Sequence, residues 1–212
     1  MDSIRIYTKA ALRMYDAVVM GLLARHVWGC PPDLLVEHYR QHVTSNHADI
    51  GVGTGYCLDR CGFAATEPRL LLIDLQPNCL EYAARRLARY HPQMLVRDVL
   101  EPMPNLSRRF DSVALAGVLH CLPGDMRHKA HAFDTLRPLT HPGSKIFGYS
   151  LVANTTRRRR RSDVVLHLLN RMRIVDNTGD RASELARELS SRFTECNVEQ
   201  IGHMAFFSAV IQ

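Results

Sequence analysis

The sequence predicts one α/β domain, in which a mostly parallel β-sheet has helices on both faces, helices ahead of it and an antiparallel hairpin at its end. From Ala48 onward, short apolar runs alternate with helical segments, which is typical of βαβ units. The last two apolar runs are separated only by Gly202 and His203, and this spacing favours an antiparallel pair. We therefore expect three parts: a helical cap (1–45), a core (46–150), and further helices with the hairpin (151–212).

Two helices are predicted ahead of the first strand. The first spans residues 8–28, where apolar side chains recur at helical spacing: Leu12, Tyr15, Val19, Leu22 and Leu23. The second spans residues 33–43, after Pro31 and Pro32, with Asp33 as its N-cap.

Five strands are predicted in the core, over residues 47–51, 69–75, 93–97, 110–116 and 144–150. Helices are predicted between them over residues 56–61, 77–90 and 124–136. The helix from Pro77 is the clearest, because a proline in the first turn precedes an apolar face that should pack on the sheet.

The final part begins with an arginine-rich stretch. Helices are predicted over residues 162–173 and, after a polar turn at 176–180, up to residue 192. Strands at 197–201 and 205–211 then form the closing hairpin.

Composition predicts a soluble cytoplasmic protein. The chain is 46% hydrophobic and 23% charged, no apolar run approaches the roughly 18 residues of a membrane span, and the amino terminus does not resemble a secretory signal. The six cysteines include no Cys-x-x-Cys pair, so we interpret them as free thiols. The net charge of +6 comes almost entirely from the run Arg157–Arg161, which is a solvated segment, a phosphate-binding patch or a nuclear-import-like signal.

A glycine-rich turn follows the first strand, in the segment Asp49-Ile50-Gly51-Val52-Gly53-Thr54-Gly55. Glycines there permit positive φ values and close approach of a ligand to the backbone. A dinucleotide site needs a small residue at the next position of the pattern, where this chain has Tyr56, and the Gly-Lys-Ser/Thr phosphate loop is absent from the sequence. A purely structural tight turn is the alternative.

Two acids stand where neighbouring strands should end. Asp74 ends the apolar run of the second predicted strand and can accept hydrogen bonds from ribose hydroxyls, while Asp98 follows the third strand and can accept one from an adenine amino group. Helix capping or simple surface exposure is the alternative for each. Ligands of open parallel sheets bind at the carboxyl ends of strands, so the two acids together favour a nucleoside site.

This ordered set, with Phe110-Asp111-Ser112-Val113 leading to Leu119-His120, resembles the motif series of class I S-adenosylmethionine-dependent methyltransferases, most closely the small natural-product enzymes. The resemblance covers residues 49–150 and implies a Rossmann-like, seven-stranded sheet. It implies S-adenosylmethionine as cofactor and S-adenosylhomocysteine as product.

The resemblance also implies a role for each motif. Asp49 and the turn Gly51, Val52, Gly53, Thr54 and Gly55 would face the methionine portion. Asp74 would bind the ribose, Leu75 the adenine edge, and Asp98 with Val99 the adenine. Ala116, Gly117 and His120 would border the methyl group. Tyr7, Tyr15 and Trp28 would close over the cofactor, with a core role as the alternative for each.

His120 is the candidate general base, because an imidazole titrates near neutrality; the alternative is a histidine that hydrogen-bonds the cofactor or caps a helix. His38 and His42 have the i, i+4 spacing of metal ligands, but the intervening residues lack the glutamate of a His-Glu-x-x-His site, and we predict no metal.

The predicted function is in-line methyl transfer to a small molecule, with oxygen or nitrogen as the nucleophile, by a monomer or homodimer. Two alternatives stay open. One is an RNA or protein methyltransferase that uses Arg157–Arg161, although the sequence lacks an Asn/Asp-Pro-Pro-Tyr/Phe motif after the fourth strand. The other is a scaffold that binds the cofactor without catalysis.

Overall fold

The computed structural model of this chain describes residues 12, 14–153 and 160–212. Tyr7, Arg157–Arg159 and the start of the predicted first helix lie outside the described residues. Of Arg160 only the backbone is described.

Seven strands within the described ranges form one sheet in the order β3-β2-β1-β4-β5-β7-β6. Their bounds are Asn46–Ile50 (β1), Arg69–Asp74 (β2), Gln93–Val96 (β3), Phe110–Leu115 (β4), Thr140–Leu151 (β5), Thr194–Ile201 (β6) and Met204–Val210 (β7). Strands β1 to β5 are parallel to one another, whereas β7 runs antiparallel to β5 and to β6. The predicted mostly parallel, seven-stranded sheet with a closing hairpin is confirmed.

The described helices lie on both sides of this sheet and ahead of it. A π-helical segment, Asp16–Leu23, continues directly into the short α-helix Ala24–His26 (α1). The other α-helices are Pro32–His42 (α2), Tyr56–Cys61 (α3), Pro77–Arg86 (α4), Met126–Lys129 (α5), His131–Asp134 (α6), Arg160–Arg171 (α7) and Ala182–Ser190 (α8). Short 3₁₀ turns occupy Ala88–Tyr90, Leu119–Cys121 and Arg137–Leu139.

Several predicted boundaries were wrong. The helix expected over residues 124–136 is two short helices, α5 and α6, because the chain turns at Ala130. The helix from Pro77 is α-helical only to Arg86 and then tightens into the 3₁₀ turn. Helix α2 begins at Pro32, with Pro31 as N-cap, so Asp33 lies in the first turn, where its charge still favours the helix dipole.

Both faces of the sheet are buried at its central strands. Leu71 and Ile73 pack into one hydrophobic cluster, whereas Leu72 between them packs into the other. Alternate residues of a strand point to opposite faces, so this division places one cluster on each side of β2. The near-continuous apolar strands of the sequence follow from this double burial.

The cap docks on the closing hairpin through its backbone. The His203 N–H donates a hydrogen bond of 2.9 Å to the Trp28 carbonyl. A Cβ on Gly202 would lie 2.1 Å from that carbonyl oxygen, so only glycine permits the approach. The contact fixes the cap beside the carboxyl edge of β5. None of the described helices is long and apolar enough to cross a membrane.

Candidate functional site

A cavity of about 250 Å³ opens at the carboxyl edge of the parallel strands. Its floor comes from the loops after β1, β2, β3 and β4, and its walls from the cap, β5, the segment before α8 and the hairpin. Apart from Tyr7, which lies outside the described residues, the residues that the sequence suggested for the site line this cavity: Tyr15, Trp28, Asp49, Gly51, Val52, Gly53, Thr54, Gly55, Asp74, Leu75, Asp98, Val99, Ala116, Gly117 and His120.

The glycine turn between β1 and α3 depends on glycine at each of its three glycine positions. Gly51, Gly53 and Gly55 have φ values of 67°, 55° and 69°, in the left-handed region that other residues rarely adopt. At Gly51 space is limiting as well, because a Cβ there would lie 2.2 Å from Cγ2 of Val118. The turn therefore bends sharply enough to expose backbone along the cavity.

Asp49 provides a buried, incompletely satisfied carboxylate at the cavity floor. The residue is 1% exposed, and its Oδ2 has no hydrogen-bond partner within the described structure. Nε2 of His47 lies 3.7 Å from Oδ2, beyond hydrogen-bond distance, and also has no partner. A buried carboxylate oxygen without a donor is unfavourable, so the site is suited to a ligand that brings a cationic or N–H donor to Asp49.

The two acids at the ends of β2 and β3 occupy neighbouring loops of the cavity. Oδ1 of Asp74 accepts from the Gln76 N–H at 2.8 Å, and burial raises the pKa of this carboxyl despite its hydrogen bonds. Oδ1 of Asp98 accepts from the Leu100 N–H at 2.9 Å. These bonds to following N–H groups fix both carboxylates at the edge of the cavity, and each retains lone pairs for a ligand.

An ion pair joins the cap to the glycine turn. Arg86, on α4, binds the carboxylate of Asp16 at the start of the π-helical segment and donates to the Thr54 carbonyl at 3.0 Å. The Thr54 hydroxyl donates to Oδ1 of Asp16 at 2.7 Å. We name Asp16, Thr54 and Arg86 the cap latch. It holds Tyr15, the neighbour of Asp16, at the cavity wall.

His120 lies in the 3₁₀ turn after β4, and its ring orientation is set by β5. The Leu151 N–H donates to Nδ1 at 3.2 Å, and the Ser150 hydroxyl lies 3.5 Å from the same atom. Because Nδ1 accepts this hydrogen bond, the proton of the neutral ring lies on Nε2. Burial, and then the charge of Lys129, lower the pKa of His120 to about 4. The ring is therefore neutral near pH 7.

A buried ion pair supports the wall that carries His120. Lys129, at the end of α5, is 0% exposed, and its Nζ lies 2.7 and 2.8 Å from the two carboxylate oxygens of Asp180. Nζ also donates to the Asp176 carbonyl, and the Asp176 N–H donates to the His120 carbonyl at 2.8 Å. Burial raises the pKa of Asp180 to about 6 although Lys129 opposes the shift. This pair fixes the polar turn at 176–180 against the site.

Sequence reasoning missed several residues of the walls. Tyr39 of α2 and Tyr149 of β5 both line the cavity, and the Tyr149 hydroxyl lies 3.6 Å from Sγ of Cys57. Burial raises the pKa of both tyrosines well above the usual range. Other unpredicted wall residues are apolar, including Met20, Ala24, Leu35, Leu151, Ile174 and Met204. Their apolar character resembled ordinary core in the sequence, so no signal separated them from it.

Metal ligation has no support in the described ranges, where no three His, Cys, Asp or Glu side chains form a group that could hold an ion. The histidines with metal-like spacing pack on each other, with His38 and His42 ring centroids 4.7 Å apart, and both contact Phe147. Nε2 of His38 is 3.1 Å from the Phe207 carbonyl, to which it donates. These rings belong to the packing between α2 and β5.

Comparison with known proteins agrees with this geometry. The family described as a methyltransferase domain matches residues 48–146. Demethylluteothin O-methyltransferase from Streptomyces thioluteus is 32% identical over 203 residues, covering 96% of this chain and 88% of that protein. Methyltransferase verB from Penicillium polonicum is 33% identical, covering 98% of this chain and 97% of that protein.

Solved structures share the fold at low sequence identity. A complex of DhpI with S-adenosylhomocysteine superposes with a TM-score of 0.69 at 14% identity, over 98% of this chain and 94% of that one. The N-methyltransferase NodS from Bradyrhizobium japonicum, also in complex with S-adenosylhomocysteine, gives a TM-score of 0.65 at 18% identity, over 100% and 99% of the two chains. Both likenesses concern the arrangement of the sheet and its helices.

Proposed function

The chain belongs to the S-adenosylmethionine-dependent methyltransferase family, and on that premise we propose that it methylates an oxygen of a small organic acceptor. The observation that carries the proposal is the cavity, where a glycine turn, two strand-end acids and a buried carboxylate with one unpartnered oxygen meet apolar walls. Oxygen is favoured over nitrogen because relatives along nearly the whole chain are named O-methyltransferases.

The residues present fit the cofactor. The unpartnered Oδ2 of Asp49 suits the methionine ammonium, which would satisfy a buried acceptor. The left-handed glycine turn brings backbone close to the same portion. Asp74 would accept from the ribose hydroxyls, and Asp98 from the adenine amino group, with Leu75 and Val99 beside the ring. These roles are proposals for this chain.

The protein's contribution to methyl transfer is positioning and exclusion of water. When bound, the cofactor supplies a methyl group on a positively charged sulfur, which is already an activated electrophile. The walls around Ala116, Gly117 and His120 would hold the acceptor oxygen in line with that methyl group. Fixing two reactants at near-attack distance supplies about 7–11 kcal/mol of the barrier in favourable cases.

The acceptor side of the cavity suits a compact, mostly apolar molecule. Met20, Ala24 and Trp28 of the cap line the cavity together with Leu151 and Ile174. Such walls bind apolar surface through the hydrophobic effect and leave orientation to a few polar groups. We propose a planar or compact hydroxylated molecule, with specificity set by these side chains.

The nucleic-acid alternative has weaker support. Arg161 is exposed at the start of α7, and Arg157–Arg159 lie outside the described residues. A cytoplasmic location, and a monomeric or homodimeric state, remain predictions from the sequence.

The first experiment is calorimetric titration of the purified protein with S-adenosylmethionine and S-adenosylhomocysteine, followed by a transfer assay on a panel of hydroxylated aromatics. We expect binding of both ligands and methyl transfer to at least one phenolic or enolic acceptor. Binding without any transfer would favour the scaffold alternative. Failure to bind either ligand would reject the proposed function, whereas retention on a polyanion with steep salt dependence would favour the RNA alternative.

A further inference from the structure

We propose that the acceptor enters the site already deprotonated, as the anion of an acidic enol or phenol, and that Nε2–H of His120 donates a hydrogen bond to its oxygen. The inference rests on the proposed function and narrows its acceptor class. In this arrangement His120 is a positioning donor, and no side chain of the described cavity removes a proton.

The hydrogen bonds of His120 decide which nitrogen faces the acceptor. Nδ1 is occupied by the Leu151 N–H at 3.2 Å, with the Ser150 hydroxyl 3.5 Å away. Nε2 has no hydrogen-bond partner among the described residues, and the ring lines the cavity. A neutral imidazole accepts a proton only on its unprotonated nitrogen, which here is Nδ1. If His120 acted as a base, Nδ1 would become protonated and the hydrogen bond from the Leu151 N–H would break. The buried Leu151 N–H would then have no acceptor.

The charges around His120 oppose its protonation as well. The elements packed around it are α5 with Lys129, β5 with Tyr149 to Leu151, and the turn with Asp176 and Asp180. The two carboxylates of that turn are already engaged, since Asp180 pairs with Lys129 and Asp176 accepts from the Gly124 N–H. Lys129 lowers the pKa of His120 further than burial alone.

The other ionisable groups that line the cavity are no better suited as bases. Burial raises the pKa of the Cys57 and Cys121 thiols to about 12, so both stay protonated near neutrality. Burial also raises the pKa of Tyr15 and Tyr149. Asp74 and Asp98 accept hydrogen bonds from following backbone N–H groups at the strand ends. Asp49 lies near the carboxyl end of β1, where the methionine ammonium would occupy it.

An anionic acceptor removes the need for a base. Its oxygen forms the new O–C bond to the methyl carbon while the C–S bond breaks, and the electron pair of that bond stays on sulfur. The positively charged sulfonium group becomes a neutral thioether, and the oxyanion becomes a neutral ether. The protein neither gains nor loses a proton. An anion is costly in apolar surroundings, and the positive sulfur together with Nε2–H offsets that cost.

The test uses two isomers of equal size, 4-hydroxycoumarin and 7-hydroxycoumarin. The first is an acidic enol that is ionised at neutral pH, whereas the second is a weaker phenol. We expect kcat/KM for the 4-isomer to be flat across the neutral range. For the 7-isomer it should rise about tenfold per pH unit until the phenol itself is ionised.

Two variants separate a donor from a base. In His120→Gln the amide can accept from the Leu151 N–H and still donate to the acceptor, so activity should stay within about tenfold of the parent with the same pH profile. His120→Leu has no donor at this position and should lose considerably more activity, because the KM for the anion rises. A base mechanism predicts that both variants lose activity alike.

A binding measurement tests the ionisation state without turnover. With sinefungin, a non-reactive cationic analogue of the cofactor, bound 7-hydroxycoumarin should show the absorption of its anion at a pH where the free compound is neutral. Neutral phenol in the complex, or a pH profile that follows an enzyme group and disappears in His120→Gln, would overturn the inference. So would failure of both isomers to bind a protein that still binds S-adenosylhomocysteine, whereas loss of that cofactor binding is failure of the proposed function instead.

Discussion

Oδ2 of Asp74 accepts a hydrogen bond of 3.1 Å from the Gly53 N–H. The acid at the end of β2 therefore holds the glycine turn that follows β1, in addition to any contact it makes with a ribose. Two sequence motifs, 21 residues apart, form one unit at the floor of the cavity.

Replacing Asp74 should impair cofactor binding in two ways. Asp74→Ala leaves the Gly53 N–H without its acceptor, which costs about 1–3 kcal/mol, and removes the proposed ribose contact. We expect the Kd for S-adenosylhomocysteine to rise by more than about tenfold in calorimetry. Asp111→Ala is the matched control, because Asp111 lies near the amino end of β4 and pairs with His141. Equal affinity in both variants would contradict the assignment.

Gly51→Ala should destabilise the protein and abolish cofactor binding, because the new Cβ would overlap Cγ2 of Val118 and φ is 67°. Each effect costs about 1–3 kcal/mol. The double variant Gly51→Ala, Val118→Ala removes the overlap and should recover part of the unfolding free energy, measured in urea. Gly179→Ala, with nothing within 4 Å of the added Cβ, is the control. Absence of any recovery would mean that backbone strain dominates.

Breaking the cap latch should loosen the cap without unfolding the sheet. Arg86→Met removes the bonds to Asp16 and to the Thr54 carbonyl. We expect faster hydrogen exchange in the π-helical segment and a severalfold higher Kd for S-adenosylhomocysteine. Arg85→Met controls for the loss of charge, since Arg85 is exposed and pairs with Glu81 on its own helix. Identical exchange in the two variants would show that the latch does not hold the cap.

Removing one partner of the buried pair Lys129 and Asp180 should destabilise the protein strongly, whereas replacing both partners should change its stability much less. Lys129→Met leaves a buried carboxylate without its partner, at about 3–5 kcal/mol of unfolding free energy. The double variant Lys129→Met, Asp180→Leu removes both charges and should recover most of the loss. Chemical denaturation of the three proteins at one pH measures this. A double variant as unstable as the single one would indicate that the turn needs the ion pair itself.

Acidification should destabilise the fold through histidines that stay neutral when folded. Burial, and then the charge of His42, lower the pKa of His38 to about 4, and that of His120 also falls to about 4. Unfolded histidine titrates near roughly 6.5, so the unfolded chain binds more protons between these values. This stability is complete above the unfolded pKa and is lost as pH falls towards the folded value, by up to about 1.4 kcal/mol per pH unit for each group.

The His38→Gln variant checks the assignment. Its unfolding free energy should fall less steeply between about pH 6.5 and 4 than that of the parent. His141→Gln should not flatten the slope, because the hydrogen bond that His141 donates to Asp111 raises the pKa of that exposed ring. A slope unchanged by His38→Gln would assign the acid sensitivity to other groups.

The sequence predicted the fold and the cavity floor because both depend on local patterns. Alternate glycines after a strand predict a turn with positive φ values. An acid at the end of an apolar run predicts the carboxyl end of a strand. Such features are carried by neighbouring residues, so Gly51 and Asp74 could be placed before any contact was known.

The walls could not be predicted, because their contacts join distant parts of the chain. Nothing in the sequence distinguishes Arg86 from the neighbouring Arg85 on α4, yet it pairs with Asp16, 70 residues away. Lys129 and Asp180 are 51 residues apart and have no sequence signal that relates them. The ring orientation of His120 depends on the Leu151 N–H, a backbone group that no side-chain pattern shows.

The floor and the walls of the cavity come from different parts of the chain, so the walls can be changed without changing the floor. Apart from Tyr15, the proposed cofactor contacts lie at or just after the carboxyl ends of parallel strands, whereas Met20, Ala24, Ile174 and Met204 come from the cap, the segment before α8 and the hairpin. Exchanging those four side chains alters the shape offered to an acceptor and leaves the glycine turn and its acids untouched. An engineer could therefore retune acceptor choice by combinatorial variation of the walls alone, and each new enzyme would inherit the same methyl donor.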